Sequence, residues 1–113
     1  MIKVDFKSRR LAKDCQDDRS RNRAFGKARA KKIARRLSSL LAATSLEDLR
    51  NAPGHFHELS GGRAGQFAAD LDGPYRLIFE PVLTDADREI HREGLVWSRI
   101  THVRILSIED YHG

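Results

Sequence analysis

The sequence has 113 residues, of which 40% are hydrophobic and 33% are charged, with a net charge of +5 and a single cysteine. This length supports one compact domain, residues 1–113, and no apolar run approaches the roughly 18 residues of a membrane span, which excludes a transporter and a large cofactor enzyme. The lone Cys15 excludes a disulfide scaffold, and the charged N-terminal segment lacks a signal peptide's apolar stretch, so we expect a cytoplasmic protein.

The first elements are predicted to be a short strand and a helix. Apolar and charged residues alternate over residues 2–6, a period of two that is typical of a half-buried strand. A basic stretch follows in which Leu11 and Cys15 are four residues apart, as on one face of a helix. Residues 17–22 contain no apolar side chain and are predicted to separate this helix from the next one.

The second helix is predicted to run from Arg23 to about residue 43. One apolar stripe follows the helical period and consists of Ile33, Leu37, Leu40, Leu41 and Thr44. Basic side chains are expected on the other faces, namely Lys31, Lys32, Arg35 and Arg36. Ser45 is predicted to cap a short helical turn, Leu46 to Leu49, and Pro53 with Gly54 ends the helical part.

Charge is distributed unevenly along the chain. Residues 1–43 contain 14 Lys and Arg against 4 Asp and Glu, a net charge of +10, whereas residues 44–113 carry a net charge of −5. A basic N-terminal half indicates a polyanionic partner, either nucleic acid or an acidic protein segment. The alternative is a solvated helix rich in Lys and Arg, which are good helix formers.

The second half is predicted to form strands. Four short runs are rich in strand-forming residues, namely 56–59, 66–71, 75–80 and 100–108. A tight Asp-Gly-Pro turn should join the second and third runs into a hairpin, with Arg76 and Ile78 on the same face. Residues 81–98 form a polar stretch that we expect to be a surface loop. This order predicts an α+β domain in which a helical pair packs on one face of a mainly antiparallel sheet.

Motifs for cofactors and metals are absent from the sequence. It contains no Walker loop, no dinucleotide-binding glycine fingerprint and no Cys/His set with zinc spacing, so we expect no cofactor and no metal. His55 and His57 would face the same side of a strand, but the surrounding carboxylates do not complete a ligand set.

The remaining candidates for chemistry are polar residues near strand ends. They are His57, Glu58, Arg63, Arg76, Glu109, Asp110, Tyr111 and His112. Arg76 lies between apolar residues in a strand, where a charge is costly unless it faces a cleft or is paired. The alternatives are a structural ion pair of Arg76 with Asp70 or Glu80, a structural role for His57, and a frayed C-terminal tail.

A basic surface, an arginine on a sheet and a cluster of Asp, Tyr and His suit the metal-independent cleavage of RNA. A base removes the proton of the RNA 2′-hydroxyl, a cation stabilises the pentacovalent phosphorane, and an acid protonates the departing 5′-oxygen. DNA lacks this hydroxyl and would be spared.

Three segments resemble the RelE/ParE toxin superfamily, and in particular its HigB-like branch in type II toxin–antitoxin modules. They read AKKIARRLSSLLAATSLEDLRNAPG, HELSGGRAGQFAADLDGPYRLIFEP and ILSIEDYH. The resemblance implies a RelE-like fold, with an N-terminal strand and a two-helix hairpin packed on a four- to five-stranded sheet. It also implies ribosome-dependent cleavage of mRNA and inhibition by a cognate, HigA-like helix-turn-helix antitoxin.

The resemblance also implies roles for individual residues. Arg76 would contact the scissile phosphate, His57 would be an acid–base group, and the tail would supply Asp110 and His112 for proton transfer, with Tyr111 against a base or sugar. Arg63 would be a weaker phosphate contact. The basic helix residues are expected to contact ribosomal RNA, namely Lys27, Lys31, Lys32, Arg35 and Arg36. The sequence departs from the family in the longer segment 81–98 and in Ser60, where many relatives have Lys.

Two other functions stay open at the level of sequence. A ParE-like inhibitor of DNA gyrase would bind its target without cutting RNA. A catalytically decayed member would only bind its antitoxin. The acid–base candidates favour the nuclease, because a pure binding protein needs no such cluster.

Overall fold

The computed structural model describes residues 1–111 and contains a five-stranded sheet. Its strands are β1 (Lys3–Phe6), β2 (His57–Glu58), β3 (Phe67–Asp70), β4 (Tyr75–Pro81) and β5 (His102–Asp110), in the spatial order β1-β5-β4-β3-β2. β1 runs parallel to β5, and the other three neighbouring pairs are antiparallel. The predicted α+β class, the N-terminal strand and the β3–β4 hairpin are therefore confirmed.

The N-terminal part forms three helices, where the sequence predicted two. They are α1 (Arg9–Gln16), α2 (Asp18–Phe25) and α3 (Lys27–Ala42). A break does fall in the predicted segment 17–22, but it is limited to Asp17, whose carboxylate accepts a hydrogen bond from the Ser20 amide at 2.8 Å. A second break, at Gly26, separates α2 from α3 and was not predicted. In residues 1–111 no helix is long and apolar enough to cross a membrane.

The helices pack on one side of the sheet, which we call the helix side. Ile33, Leu37 and Leu40 of α3 are buried there against strand residues such as Leu77 and Phe79. Burial of this apolar surface supplies the main favourable free energy of folding, at about 25 cal/mol per Å².

The predicted stripe on α3 is wrong at two of its positions. Leu41 is 50% exposed and Thr44 is exposed, whereas Arg36 lies on the inward face and is only 8% exposed. Arg36 follows Ile33 by three residues and precedes Leu40 by four, which is the spacing of one helix face.

The opposite surface of the sheet, the open face, carries a smaller apolar cluster. Leu59, Ala68 and Ile78 are buried there, with Leu106 and Tyr111 packed against them. Because side chains alternate along a strand, polar residues two positions away from this cluster lie on the same face. The candidate site is built on these positions.

A bulge in β5 determines which tail residues reach the open face. Ile78 pairs with Ser107, but the next residue, Phe79, pairs with Ile105, so that Leu106 is an extra residue. The extra residue reverses the side-chain alternation beyond it.

Residues 81–98 are more ordered than the predicted surface loop. They contain α4 (Asp85–Ile90), which begins with a capping box formed by Thr84 and Asp87. His91 and Trp97 are buried, with exposed fractions of 8% and 6%. This segment therefore contributes to the core next to β2 rather than only covering it.

The turn from Leu46 to Leu49 is present as a 3-10 helix that follows Ser45. The predicted capping by the Ser45 side chain is absent within residues 1–111. Asp48 instead accepts a hydrogen bond from the Thr44 amide at 2.8 Å, which connects the turn to the end of α3.

We expect Gly54→Ala to lower the free energy of unfolding by about 2–4 kcal/mol, measured by urea denaturation. Gly54 has a φ of +109°, and an added Cβ would lie 2.5 Å from the Nε of the buried Arg36. Gly62→Ala is the matched control, because Gly62 has no left-handed φ and no atom within 4 Å of the added carbon. An equal drop in both variants would show that the contact with Arg36 is unimportant.

Candidate functional site on the open face

Arg76 lies on the open face near the start of β4, beside the turn that joins β3 to β4. Its Nε lies 3.0 Å from Oδ1 of Asp70 on β3, and its Nη1 donates to the carbonyls of Gly73 and Tyr75 at 2.8 Å. The ion pair with Asp70 that the sequence left open is therefore present. The N–H groups of Arg76 do not meet Asp70 Oδ1 with hydrogen-bond geometry, so this contact is mainly electrostatic. The Arg76 side chain remains 23% exposed, which leaves it accessible to an anion from solvent.

The backbone of Asp70 is held from the helix side. Its amide donates to the Gly54 carbonyl at 2.7 Å, and its carbonyl accepts from Nε of Arg36 at 2.7 Å. Burial lowers the pKa of the Arg36 guanidinium. The prediction that Arg36 binds RNA is wrong, because a buried guanidinium that joins α3 to the end of β3 cannot contact a polyanion at the surface.

Arg63 and Glu109 form a second ion pair on the open face. The two side chains meet in a bidentate arrangement, with N···O distances of 2.7 and 3.1 Å. Ser107 also donates to the Glu109 carboxylate, and the Arg63 guanidinium lies 5.2 Å from the centre of the Tyr111 ring. Arg63 is thus more fully engaged by its carboxylate than Arg76 is by Asp70.

We expect the Arg63–Glu109 pair to make stability depend on pH in the acid range. Hydrogen bonds from Arg63, then from Ser107, hold the pKa of Glu109 below its ordinary value of 4.5. A lowered pKa stabilises the fold above the unfolded-state pKa, and this contribution disappears as the pH falls through the folded-state pKa. In urea titrations, Glu109→Gln should be less stable than the parent at about pH 6, and the difference should shrink towards about pH 3. A constant difference across this range would contradict the pairing.

His57 lies at the β2 edge of the open face. It is opposite Ala68 in the β2–β3 register, on the face that also carries Asp70 and Arg76. Its Nδ1 is 2.8 Å from the His55 carbonyl oxygen, and the two imidazole rings stack with centroids 4.2 Å apart. His55 Nδ1 lies 3.8 Å from Oδ2 of Asp70, which connects the histidines to the Arg76 ion pair.

The tail is paired along β4 as far as it is described. Glu109 is opposite Arg76, and Asp110 is opposite Tyr75, so that Asp110 falls on the helix side by strand alternation. Tyr111 returns to the open face, and its amide donates to the Pro74 carbonyl at 3.0 Å. His112 lies outside the described residues.

The structure therefore brings together some of the predicted site residues. His57, Arg63, Arg76 and Tyr111 share the open face, whereas Asp110 is on the other side of the strand. Glu109 takes the place beside Arg76, because the bulge in β5 shifts the alternation by one residue.

The predicted basic residues of α3 lie apart from this site. Lys27, Lys31 and Arg35 are exposed and Lys32 is half-buried. Because α3 packs on the helix side, the sheet separates these side chains from Arg76. Within residues 1–111, no group of three or more His, Cys, Asp or Glu side chains is placed to hold a metal ion.

Solved structures of YoeB- and ParE-type toxins share this fold. The chain is similar to a YoeB/ParE toxin from Agrobacterium tumefaciens, with a TM-score of 0.59 and 10% identity over 98% of this chain and 100% of that one. It is also similar to the YoeB–YefM complex from Staphylococcus aureus, with a TM-score of 0.56 and 17% identity over 100% and 99% of the two chains.

A further similar structure is the YoeB dimer from Staphylococcus aureus, with a TM-score of 0.56 and 18% identity over 99% of this chain and 98% of that one. No protein-family model and no curated protein matches the sequence. At these identities the similarity establishes the fold, and the function has to be inferred from the residues of the open face.

Proposed function

We propose that this protein is the toxin of a type II toxin–antitoxin module and that it cleaves mRNA on the ribosome. The observation that carries this proposal is Arg76, a partly exposed arginine on the open face whose contact with Asp70 lacks hydrogen-bond geometry. A phosphate can therefore replace the carboxylate as the partner of this guanidinium, and can accept two parallel hydrogen bonds from it.

The chemistry requires a base, an acid and a cation around one phosphodiester. The base takes the 2′-hydroxyl proton, and the 2′-oxygen then forms a bond to phosphorus. The bond from phosphorus to the 5′-oxygen breaks, and that oxygen receives a proton from the acid. The products are a 2′,3′-cyclic phosphate and a 5′-hydroxyl end. We assign transition-state charge stabilisation to Arg76 and one proton transfer to His57, because both side chains lie on the open face.

The second proton transfer is assigned to the tail. The sequence resemblance proposes Asp110 and His112 for this role, with Tyr111 against a base or sugar. Of these, Tyr111 lies on the open face beside Arg63, which supports its proposed contact with RNA. Arg63 would contact a neighbouring phosphate only after Glu109 releases it.

We propose two macromolecular partners, a helix-turn-helix antitoxin of the HigA type and the translating ribosome. One of the similar structures is a YoeB–YefM complex, which supports a protein partner for a chain of this fold. The exposed Lys27, Lys31 and Arg35 would bind ribosomal RNA on the helix side. Binding through such side chains weakens steeply with added salt. The HigB-like branch is part of the same proposal and rests on the sequence resemblance.

The similarity to a YoeB/ParE toxin favours a second candidate, a ParE-like inhibitor of DNA gyrase that cuts no RNA. Expression from a tightly controlled promoter separates the candidates through growth, protein synthesis and the mapping of mRNA ends. New 5′-hydroxyl ends within translated messages, abolished in Arg76→Ala and His112→Ala, support the nuclease. Growth arrest with DNA damage and intact messages supports gyrase inhibition, and unimpaired growth indicates a decayed toxin.

A further inference from the structure

The segment His55-Phe56-His57 presents two stacked imidazoles to the open face. Phe56 is buried on the helix side, where its ring contacts Phe79 edge-on with centroids 6.2 Å apart. His55 and His57 stack with an angle of 18° between their rings. Anchoring of the middle residue therefore fixes the direction in which both histidines project.

The hydrogen bond between these two residues determines where His57 carries its proton. A carbonyl oxygen can only accept, so Nδ1 of His57 must carry the hydrogen that it donates to the His55 carbonyl, 2.8 Å away. A neutral imidazole has one N–H group, and its other nitrogen then presents a lone pair. Nε2 of His57 is therefore the atom that can take a proton from a substrate hydroxyl.

His55 has an unfavourable backbone conformation. Its φ is +49°, and among residues 1–111 it is the only non-glycine residue with a positive φ. Side chains with a Cβ disfavour this region, in which Asn, Asp and His are tolerated best. Strained backbone that persists beside reactive groups points to a role in positioning them.

From these observations we infer that His55 is a positioning residue for His57. Its left-handed backbone aims the main-chain carbonyl at Nδ1 of His57, and its ring restricts rotation of the His57 ring by stacking. Together they favour the Nδ1–H tautomer of the neutral imidazole, which leaves the lone pair on Nε2. The inference deepens the proposed function, and it rests on that function for the use of Nε2 as a base.

The test compares two variants that both remove the His55 imidazole. His55→Asn keeps a residue that tolerates positive φ, whereas the β-branched side chain of His55→Val opposes it. In ¹⁵N-labelled protein above about pH 8, ring-nitrogen NMR should show the Nδ1–H tautomer of His57 in the parent and in His55→Asn. His55→Val should show a mixture of tautomers. His55→Ala, a milder change, replaces His55→Val if the latter does not fold.

Kinetics of mRNA cleavage on ribosomes give the second measurement. We expect His55→Val to lower kcat by about 10- to 100-fold with KM changed by less than about 2-fold, because the base is misdirected while the phosphate contact is intact. His55→Asn should lower kcat by less than about 5-fold.

Three results would overturn the inference: an Nε2–H tautomer in the parent, an unchanged tautomer in His55→Val, or an equal fall in rate in both variants. The NMR measurement does not require RNA cleavage, so a protein with the expected tautomers and no nuclease activity would refute the proposed function alone.

Discussion

Arg76→Ala should lower the rate of ribosome-dependent mRNA cleavage by about 100- to 1,000-fold, the usual effect of removing one donor that stabilises charge in a transition state. Arg76 lies on the open face at the turn end of β4, and its nearest carboxylate, on Asp70, makes no well-directed hydrogen bond with it. The effect should appear mainly in kcat, because charge on the phosphorane oxygens is greatest in the transition state. Single-turnover cleavage of a defined message on purified ribosomes measures it.

Arg104→Ala is the matched control for this substitution. Arg104 is also a strand arginine with a carboxylate partner, Glu80, at 3.4 Å, and it is 42% exposed. The sheet register places this pair towards the other end of β4. We expect normal cleavage from Arg104→Ala, so a similar fall in rate in both variants would attribute the effect to general surface charge. Arg76→Lys should recover only part of the rate, because lysine keeps the charge without the planar fork.

Asp70→Asn tests whether the carboxylate competes with RNA for Arg76. The Asp70 Oδ1 atom lies 3.0 Å from Arg76 Nε, where it would repel an incoming phosphate. Replacing it by a neutral amide should lower KM for the ribosome–mRNA complex by about 3- to 10-fold at low salt, with a smaller change at high salt. A raised KM would instead assign Asp70 to holding Arg76 in its productive position.

Much of the sheet was predictable because its signals are local. Alternation over residues 2–6 and the Asp-Gly-Pro turn depend on neighbouring residues, and both predicted elements are present. The tail was harder, because its faces depend on a bulge at Leu106 that reverses the alternation. The apolar residues Val103, Ile105 and Ile108 already show this change of phase in the sequence. Without the pairing partner, the sequence could not place Glu109 rather than Asp110 beside Arg76.

The histidine pair shows a different limit of sequence analysis. Spacing placed His55 and His57 on one side of a strand, and a metal site was considered for them. The His57 ring donates a hydrogen bond to the His55 carbonyl, and this bond accompanies a positive φ at His55. The residue types at these positions do not specify such a backbone conformation, so the position of His57 was predictable and its tautomer was not.

Arg36 was assigned to RNA because basic residues surround it, although its spacing from Ile33 and Leu40 already placed it on the buried face. We expect Arg36→Met to lower the free energy of unfolding by about 2–4 kcal/mol, measured by urea denaturation. Methionine keeps most of the volume, but the Asp70 carbonyl is deprived of its 2.7 Å partner. Because that carbonyl belongs to the strand end that carries the Arg76 ion pair, cleavage should fall as well.

Substitution of the exposed basic side chains of α3 should weaken RNA binding and leave stability nearly unchanged. In a variant with Lys27→Gln, Lys31→Gln and Arg35→Gln, all at exposed positions, stability should change by less than about 0.5 kcal/mol per site, because surface substitutions seldom cost more. This variant should bind ribosomes more weakly, and its binding should depend less on salt. The slope of log K against log salt should become less steep by roughly 0.7–0.9 for each phosphate that the protein no longer neutralises. Arg36→Met should leave this slope unchanged, since a guanidinium that is 8% exposed releases no counterions. We therefore expect Arg36→Met to lower stability and leave the salt slope unchanged. We expect the triple variant to keep its stability and to show a less steep salt slope. This pair of results would separate the basic residue that stabilises the fold from those that bind RNA.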